Sequence, residues 1–204
     1  MMKILRTQES LMNYAGWYAM RYLPSLQKLR ETLMKKSLDN TIIVNAVMEE
    51  MSAYISEERT VDGLVRMYVE QSKTRPYIEQ KLRAKKFAKE VILSTLDTYT
   101  ESFMSWNMYE QTITQKVLSY IQKNKSRRYI IGTLTQKYPN FKQNILVLLD
   151  QIIPDEMESI QEEYIKLAKK FDSHDTKERQ KIVQKLSMKG FSYDGIKKVM
   201  RNEE

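Results

Sequence analysis

His174 and Glu178 stand four residues apart, a spacing at which one helical face could offer an imidazole and a carboxylate to a metal ion. There is no second histidine and no cysteine. A multi-histidine cage, a thiolate site, a disulfide and a cysteine nucleophile are therefore all excluded. The local run Ser173-His174-Asp175-Thr176 is polar throughout, which fits an exposed loop histidine better than a ligand. The carboxylate pairs Glu49-Glu50 and Glu162-Glu163 fit charged helix surface better than a shared acid/base pocket. No glycine-rich phosphate loop, H-E-x-x-H or nucleophile elbow is present. The expectation is a protein with no catalytic residues, no cofactor and no metal.

Binding chemistry is better supplied. The 204 residues carry a formal net charge of +8, which suits a polyanion or an acidic protein surface. From Gln111 to Leu149 there is no acidic residue, while Lys116, Lys123, Lys125, Arg127, Arg128, Lys137 and Lys142 are basic. A second basic stretch holds Lys73, Arg75, Lys81, Arg83, Lys85, Lys86 and Lys89 against only Glu79 and Glu90. Helical spacing puts Lys81 beside Lys85, with Arg83 and Lys86 flanking, a stripe that could follow phosphates. Acidic residues collect elsewhere, around Glu49–Asp62 and Asp150–Glu163. The aromatic group Tyr99, Phe103, Trp106 and Tyr109 could stack on bases, but helical spacing makes core packing the stronger expectation.

The elements that must position these charges are helical. Five glycines and four prolines are too few for an all-β chain full of tight turns. Leu33, Leu82, Leu134 and Leu186 recur at intervals of about fifty residues. Four residues before them stand Leu29, Ile78, Ile130 and Ile182, and eight before the first three stand the N-cap types Ser25, Thr74 and Ser126. An apolar stop follows at Leu38, Phe87 and Phe191, with Tyr138 one position early. Asp39, Asn140 and Ser192 are then placed to cap a third short helix. The reading is all-α, an elongated and curved array of tandem three-helix repeats at 9–51, 57–98, 103–150 and 156–202. The fourth is divergent, with Glu178 at the cap position and a longer loop. No apolar run reaches the ~18 residues of a membrane span, and no secretory signal opens the chain, so a cytoplasmic protein is expected.

Thr74-Arg75-Pro76-Tyr77-Ile78-Glu79-Gln80-Lys81-Leu82-Arg83-Ala84-Lys85-Lys86-Phe87 resembles the middle repeat of the RecX family of recombination regulators. Lys185-Leu186-Ser187-Met188-Lys189-Gly190-Phe191-Ser192, with Ile196, is similar to that family's recurrent K-L-x-x-K/R-G-F pattern. Trp17–Tyr22, followed by Ser25 and Leu29, resembles its first helix pair, and Tyr54–Arg59 its Y-L-D-D-x-R-F segment. The likeness covers most of the chain and is weakest over 98–150. It departs at Ser37-Leu38, where glycine and an aromatic are usual, and in having a fourth unit.

The resemblance implies a regulator of the RecA recombinase in recombination, repair and the SOS response. Such a protein lies in the groove of the RecA–single-stranded DNA filament and inhibits its ATPase, strand-exchange and coprotease activities. The matching basic positions are Arg75, Lys81, Arg83, Lys85, Lys86, Lys185 and Lys189, joined by Arg127 and Arg128 as the filament- or DNA-facing surface. The expected partners are the RecA filament and single-stranded DNA, directly or through RecA, with no membrane and a monomeric chain. A stand-alone helical DNA- or RNA-binding module and a scaffold contacting an acidic protein remain the alternatives.

Overall fold

A computed structural model describes residues 4–153, 155–172 and 175–202, and among these every regular element is a helix. The all-α class is as expected; His174 lies outside the described residues. The chain divides into two compact units, Met1–Met104 and Ser105–Glu204. In the first, α1 (Gln8–Tyr22), α2 (Leu26–Lys36) and α3 (Thr41–Tyr54) enclose one apolar cluster. A second is formed by α4 (Glu57–Glu70), α5 (Arg75–Ala84), α6 (Lys89–Thr98) and the short α7 (Thr100–Met104). The second unit has one cluster within α8 (Trp106–Ile121), α9 (Arg127–Lys137), a 3-10 turn at Pro139–Phe141 and α10 (Lys142–Ile152). Another is built from α11 (Met157–Ala168), α12 (Thr176–Met188) and α13 (Tyr193–Asn202).

Local chemistry explains where these helices start. The hydroxyl oxygens of Ser25 and Ser126 accept the Lys28 and Tyr129 N–H groups at 3.0 and 3.2 Å, satisfying donors that the first helical turn leaves orphaned. Thr74 occupies the same position before α5 without a side-chain bond, and Pro76 sits in the first turn, where a missing N–H does no harm. Two residues ahead of each cap the backbone turns left-handed, at Leu23, Ser72 and Asn124. The helices then bury the expected pairs: Leu29 with Leu33, Ile78 with Leu82, Ile130 with Leu134, and Ile182 with Leu186, all at most 1 % exposed. Phe103 and Tyr109 are core residues, and Tyr99 and Trp106 pack against those cores. Burial and the neighbouring Tyr138 push the Tyr109 hydroxyl up to about 12, so it stays neutral there.

Four local expectations need correction. Phe87, Tyr138 and Phe191 are buried stops, but Leu38 is 63 % exposed. Gly190 (φ 91°) and Lys86 (φ 66°) make the left-handed turn that sends the next residue inward. Ser37 keeps a negative φ, so the reversal is delayed to Leu38 and Asp39, and Leu38 points out. For the same reason the cap of α3 is Asn40, whose side chain accepts the Ile43 N–H, and not Asp39. Asn140 lies inside the 3-10 turn, and the residue at the cap position of α10 is Phe141. Asp175, not Glu178, caps α12 by accepting the Lys177 and Glu178 N–H groups, both at 2.9 Å.

Within each unit the same polar seam joins one apolar cluster to the next. Ser25, only 1 % exposed, donates its hydroxyl to the carbonyl of Lys85 at the end of α5 (2.8 Å). Ser126, equally buried, donates to the carbonyl of Lys189 at the end of α12 (2.7 Å). Beside the first, Glu57 accepts the Leu26 N–H (2.6 Å); beside the second, Glu156 accepts the Arg127 N–H (2.5 Å). Each serine thus caps its own helix with its lone pair and finishes a distant helix C-terminus with its proton. Each carboxylate lies at the positive end of a helix dipole.

Candidate functional site

The sequence-predicted basic residues fall into two groups, those engaged within the fold and those facing solvent. Lys85 reaches the Tyr22 carbonyl and, at 3.4 Å, the Leu23 carbonyl, so its ammonium closes the C-terminus of α1. Burial pulls it below its ordinary value of 10.5. Lys86 grips both Glu31 oxygens, at 2.5 and 2.7 Å, and this bond holds the Glu31 carboxyl below its usual range. Arg127 binds Asp150 and donates to the Ile153 carbonyl at 3.0 Å. Lys189 binds Glu163. These four cations knit helices together.

The remaining five are better placed to meet a partner. Arg75 and Arg83 pair with Asp97 (2.6 Å) and Glu79 (2.5 Å), solvated contacts worth ~0–1 kcal/mol that a phosphate can replace. Lys81 is exposed on α5, its ammonium 5.3 Å from the exposed Tyr77 ring. Lys185 is exposed on α12, 5.4 Å from the Phe171 ring. Arg128 is exposed at the start of α9 and forms no ion pair among the described residues; its Cβ lies beside Gly190. The first unit thus presents Arg75, Lys81 and Arg83 along one helix, and the second presents Arg128 and Lys185 near the end of α12.

Glu163 was expected to be one of a surface pair, yet it is only 6 % exposed. Burial raises its carboxyl, but bonds from Lys189 and Lys166 (2.9 Å) outweigh that and hold it below the ordinary 4.5. A depressed folded-state value adds stability above the unfolded value and loses it as pH falls through the folded one. Glu163→Gln is accordingly expected to cost on the order of 1 kcal/mol at neutral pH, discounted for the half-exposed lysines. The gap from wild type should close below pH 4.5, as followed by urea unfolding across the acid range.

Sequence analysis singled out no aromatic residue of α1 as a contact. Tyr14 and Tyr18 do pack against the core, but Trp17 is 49 % and Tyr22 44 % exposed. Buried Leu11 and Ala15, with half-buried Tyr18, follow the helical period, so a wheel projection places Trp17 beside them and outward. A groove of about 510 Å³ between α1, α3 and α4 is lined by apolar side chains such as Met20, Met51 and Ile55. Arg59 is the one charged side chain lining it, so it brings no acid and base together. Among the described residues no cluster of metal-ligating side chains occurs, and no helix is long and apolar enough to cross a membrane.

Against known proteins, residues 154–200 match the family model described as RecX, third three-helix domain. The match covers α11 to α13, the segment whose loop and cap depart furthest from the internal pattern. The chain is 24 % identical over 179 residues to the regulatory protein RecX of Streptococcus agalactiae serotype III (strain NEM316), covering 83 % of this chain and 68 % of that one. It is 22 % identical to the regulatory protein RecX of Streptococcus agalactiae serotype Ia, covering 93 % and 78 %. For the regulatory protein RecX of Streptococcus mutans serotype c the identity is 21 %, with the same coverage. No solved structure matches the chain at a significant level.

Proposed function

We propose that this chain, which belongs to the RecX family, exerts its regulatory role by binding the RecA–single-stranded DNA filament. It inhibits the filament's ATPase, strand-exchange and coprotease activities from within the helical groove, by occupancy and not by catalysis. The four three-helix segments, 9–51, 57–98, 103–150 and 156–202, are the modules that contact successive stretches of filament. The observation that carries this reading is the likeness to regulatory RecX proteins over most of the chain. The solvent-facing cations support it: exposed Lys81 and Arg83 with half-buried Arg75 in one unit, exposed Arg128 and Lys185 in the other, suit a surface rich in phosphate or carboxylate. Lys85, Lys86, Arg127 and Lys189 act one step back, by holding the helices that present them. The protein works as a cytoplasmic monomer.

The test is RecA's ATP hydrolysis on single-stranded DNA, titrated with this chain at moderate salt. Inhibition well below one molecule per RecA is expected. No effect at molar excess of folded protein would overturn the reading. The competing reading, a helical nucleic-acid-binding module acting alone, draws support from the exposed rings of α1. It requires strong binding to DNA or RNA without RecA, falling steeply with salt.

A further inference from the structure

We infer that the outer face of α1 is itself a contact site for single-stranded nucleic acid, with bases stacking on Trp17 and Tyr22 and phosphates meeting Arg21 and Lys36. This goes beyond the filament reading, because the contact needs no recombinase.

The site begins with spacing. Tyr14, Trp17, Tyr18, Arg21 and Tyr22 fall at i, i+3, i+4, i+7 and i+8, one continuous strip of helix surface. Their rings touch in sequence: Tyr14 to Trp17 at 5.6 Å, Tyr14 to Tyr18 at 5.9 Å, Tyr18 to Tyr22 at 4.8 Å and Trp17 to Tyr22 at 5.8 Å. The inner two rings rest on the core and fix the outer two. Trp17 and Tyr22 meet edge to face at 82°, so each keeps an open surface. A tryptophan left half exposed on a positioned row forfeits burial and is what a binding surface requires.

Charge decides the class of ligand. The Arg21 guanidinium stands 5.7 Å from the Trp17 ring and 5.8 Å from the Tyr22 ring, and the Lys36 ammonium 5.1 Å from the Tyr14 ring. Neither forms an ion pair among the described residues, whereas Arg75, Arg83, Lys86, Arg127 and Lys189 all do. Two cations without ion-pair partners, Arg21 beside the open rings and Lys36 over the inner Tyr14, supply with those rings the two parts of single-strand recognition. The π-faces accept any base, and the positive charge tracks the backbone.

The experiment uses the full chain without RecA and a fluorescein-labelled oligothymidylate, read by anisotropy at low and moderate salt. Trp17→Ala with Tyr22→Ala should weaken binding about 30-fold or more, the lower end for two stacked bases, with the helical signal retained and the melting temperature lowered only modestly because both side chains are about half exposed. Unlabelled oligothymidylate should also quench tryptophan emission. The only other tryptophan, Trp106, packs in the second unit against Phe141, so quenching reports Trp17. Equal affinity in the double variant would overturn the proposal, as would equal competition by polyphosphate of the same charge. Absence of oligonucleotide binding to wild type would also overturn it and leave the row to a protein partner. That last result would leave inhibition of RecA's ATPase untouched, so the two readings fail separately.

Discussion

Replacing Lys81, Arg128 and Lys185 together with glutamate should lower apparent affinity for the RecA filament about 100-fold while leaving the melting temperature near wild type. Each is an exposed cation outside the polar seams. A unit charge at a solvated contact is worth about 1 kcal/mol, so the three lost attractions alone compound to roughly that factor, before the added repulsion is counted. The contrasting variants are Lys85→Glu and Lys189→Glu. The first sets a carboxylate against the Tyr22 and Leu23 carbonyls, the second against Glu163. Both should lower the melting temperature before they say anything about a ligand. ATPase titration beside thermal unfolding separates the two sets. Full inhibition by the triple variant would place the filament contact elsewhere.

The second large effect concerns Gly190. Its φ of 91° is a backbone conformation that side chains rarely adopt, and a Cβ there would stand 2.7 Å from the Ser126 hydroxyl oxygen. Gly190→Val must strain the turn and also push away the serine that caps α9 and bonds the Lys189 carbonyl. About 1–3 kcal/mol of strain and ~1 kcal/mol for the lost bond add to at least 2 kcal/mol. For a unit of this size the transition should fall by more than about 8 °C, measured by thermal circular dichroism. Gly132, mid-helix in α9 with nothing within 4 Å of an added Cβ, is the control. Gly132→Ala should stabilise by ~0.5–1 kcal/mol. A Gly190→Val chain that melts like wild type would mean the seam carries no stability.

What could be read from the sequence was what local chemistry decides. Ser25 and Ser126 could be named as caps because a cap bond spans three residues, and the Leu29–Leu33 and Ile182–Leu186 stripes because they recur at one helical turn. Their second role could not, since the Lys85 and Lys189 carbonyls lie 60 and 63 residues downstream. The same limit applied to the charges. Lys81 and Lys85 look alike on a helical wheel, yet only Lys85 ends on a carbonyl of another helix. Leu38 was misplaced by the backbone sign of one neighbour: Lys86 turns left-handed without glycine, and Ser37 does not. Trp17 was within reach of a wheel projection, because Leu11 and Ala15 mark the buried face and Trp17 falls beside it.

The paired seams also bear on descent. Serine to carbonyl and carboxylate to helix N–H recur in the two units at nearly the same separations, 60 and 31 residues in one, 63 and 29 in the other. Agreement in which atoms bond across so long a loop is hard to reach twice by separate drift. The repeating piece of the structure is therefore a pair of three-helix segments with its joint already built in. A lineage that duplicates the pair doubles its length without having to invent a joint inside either copy.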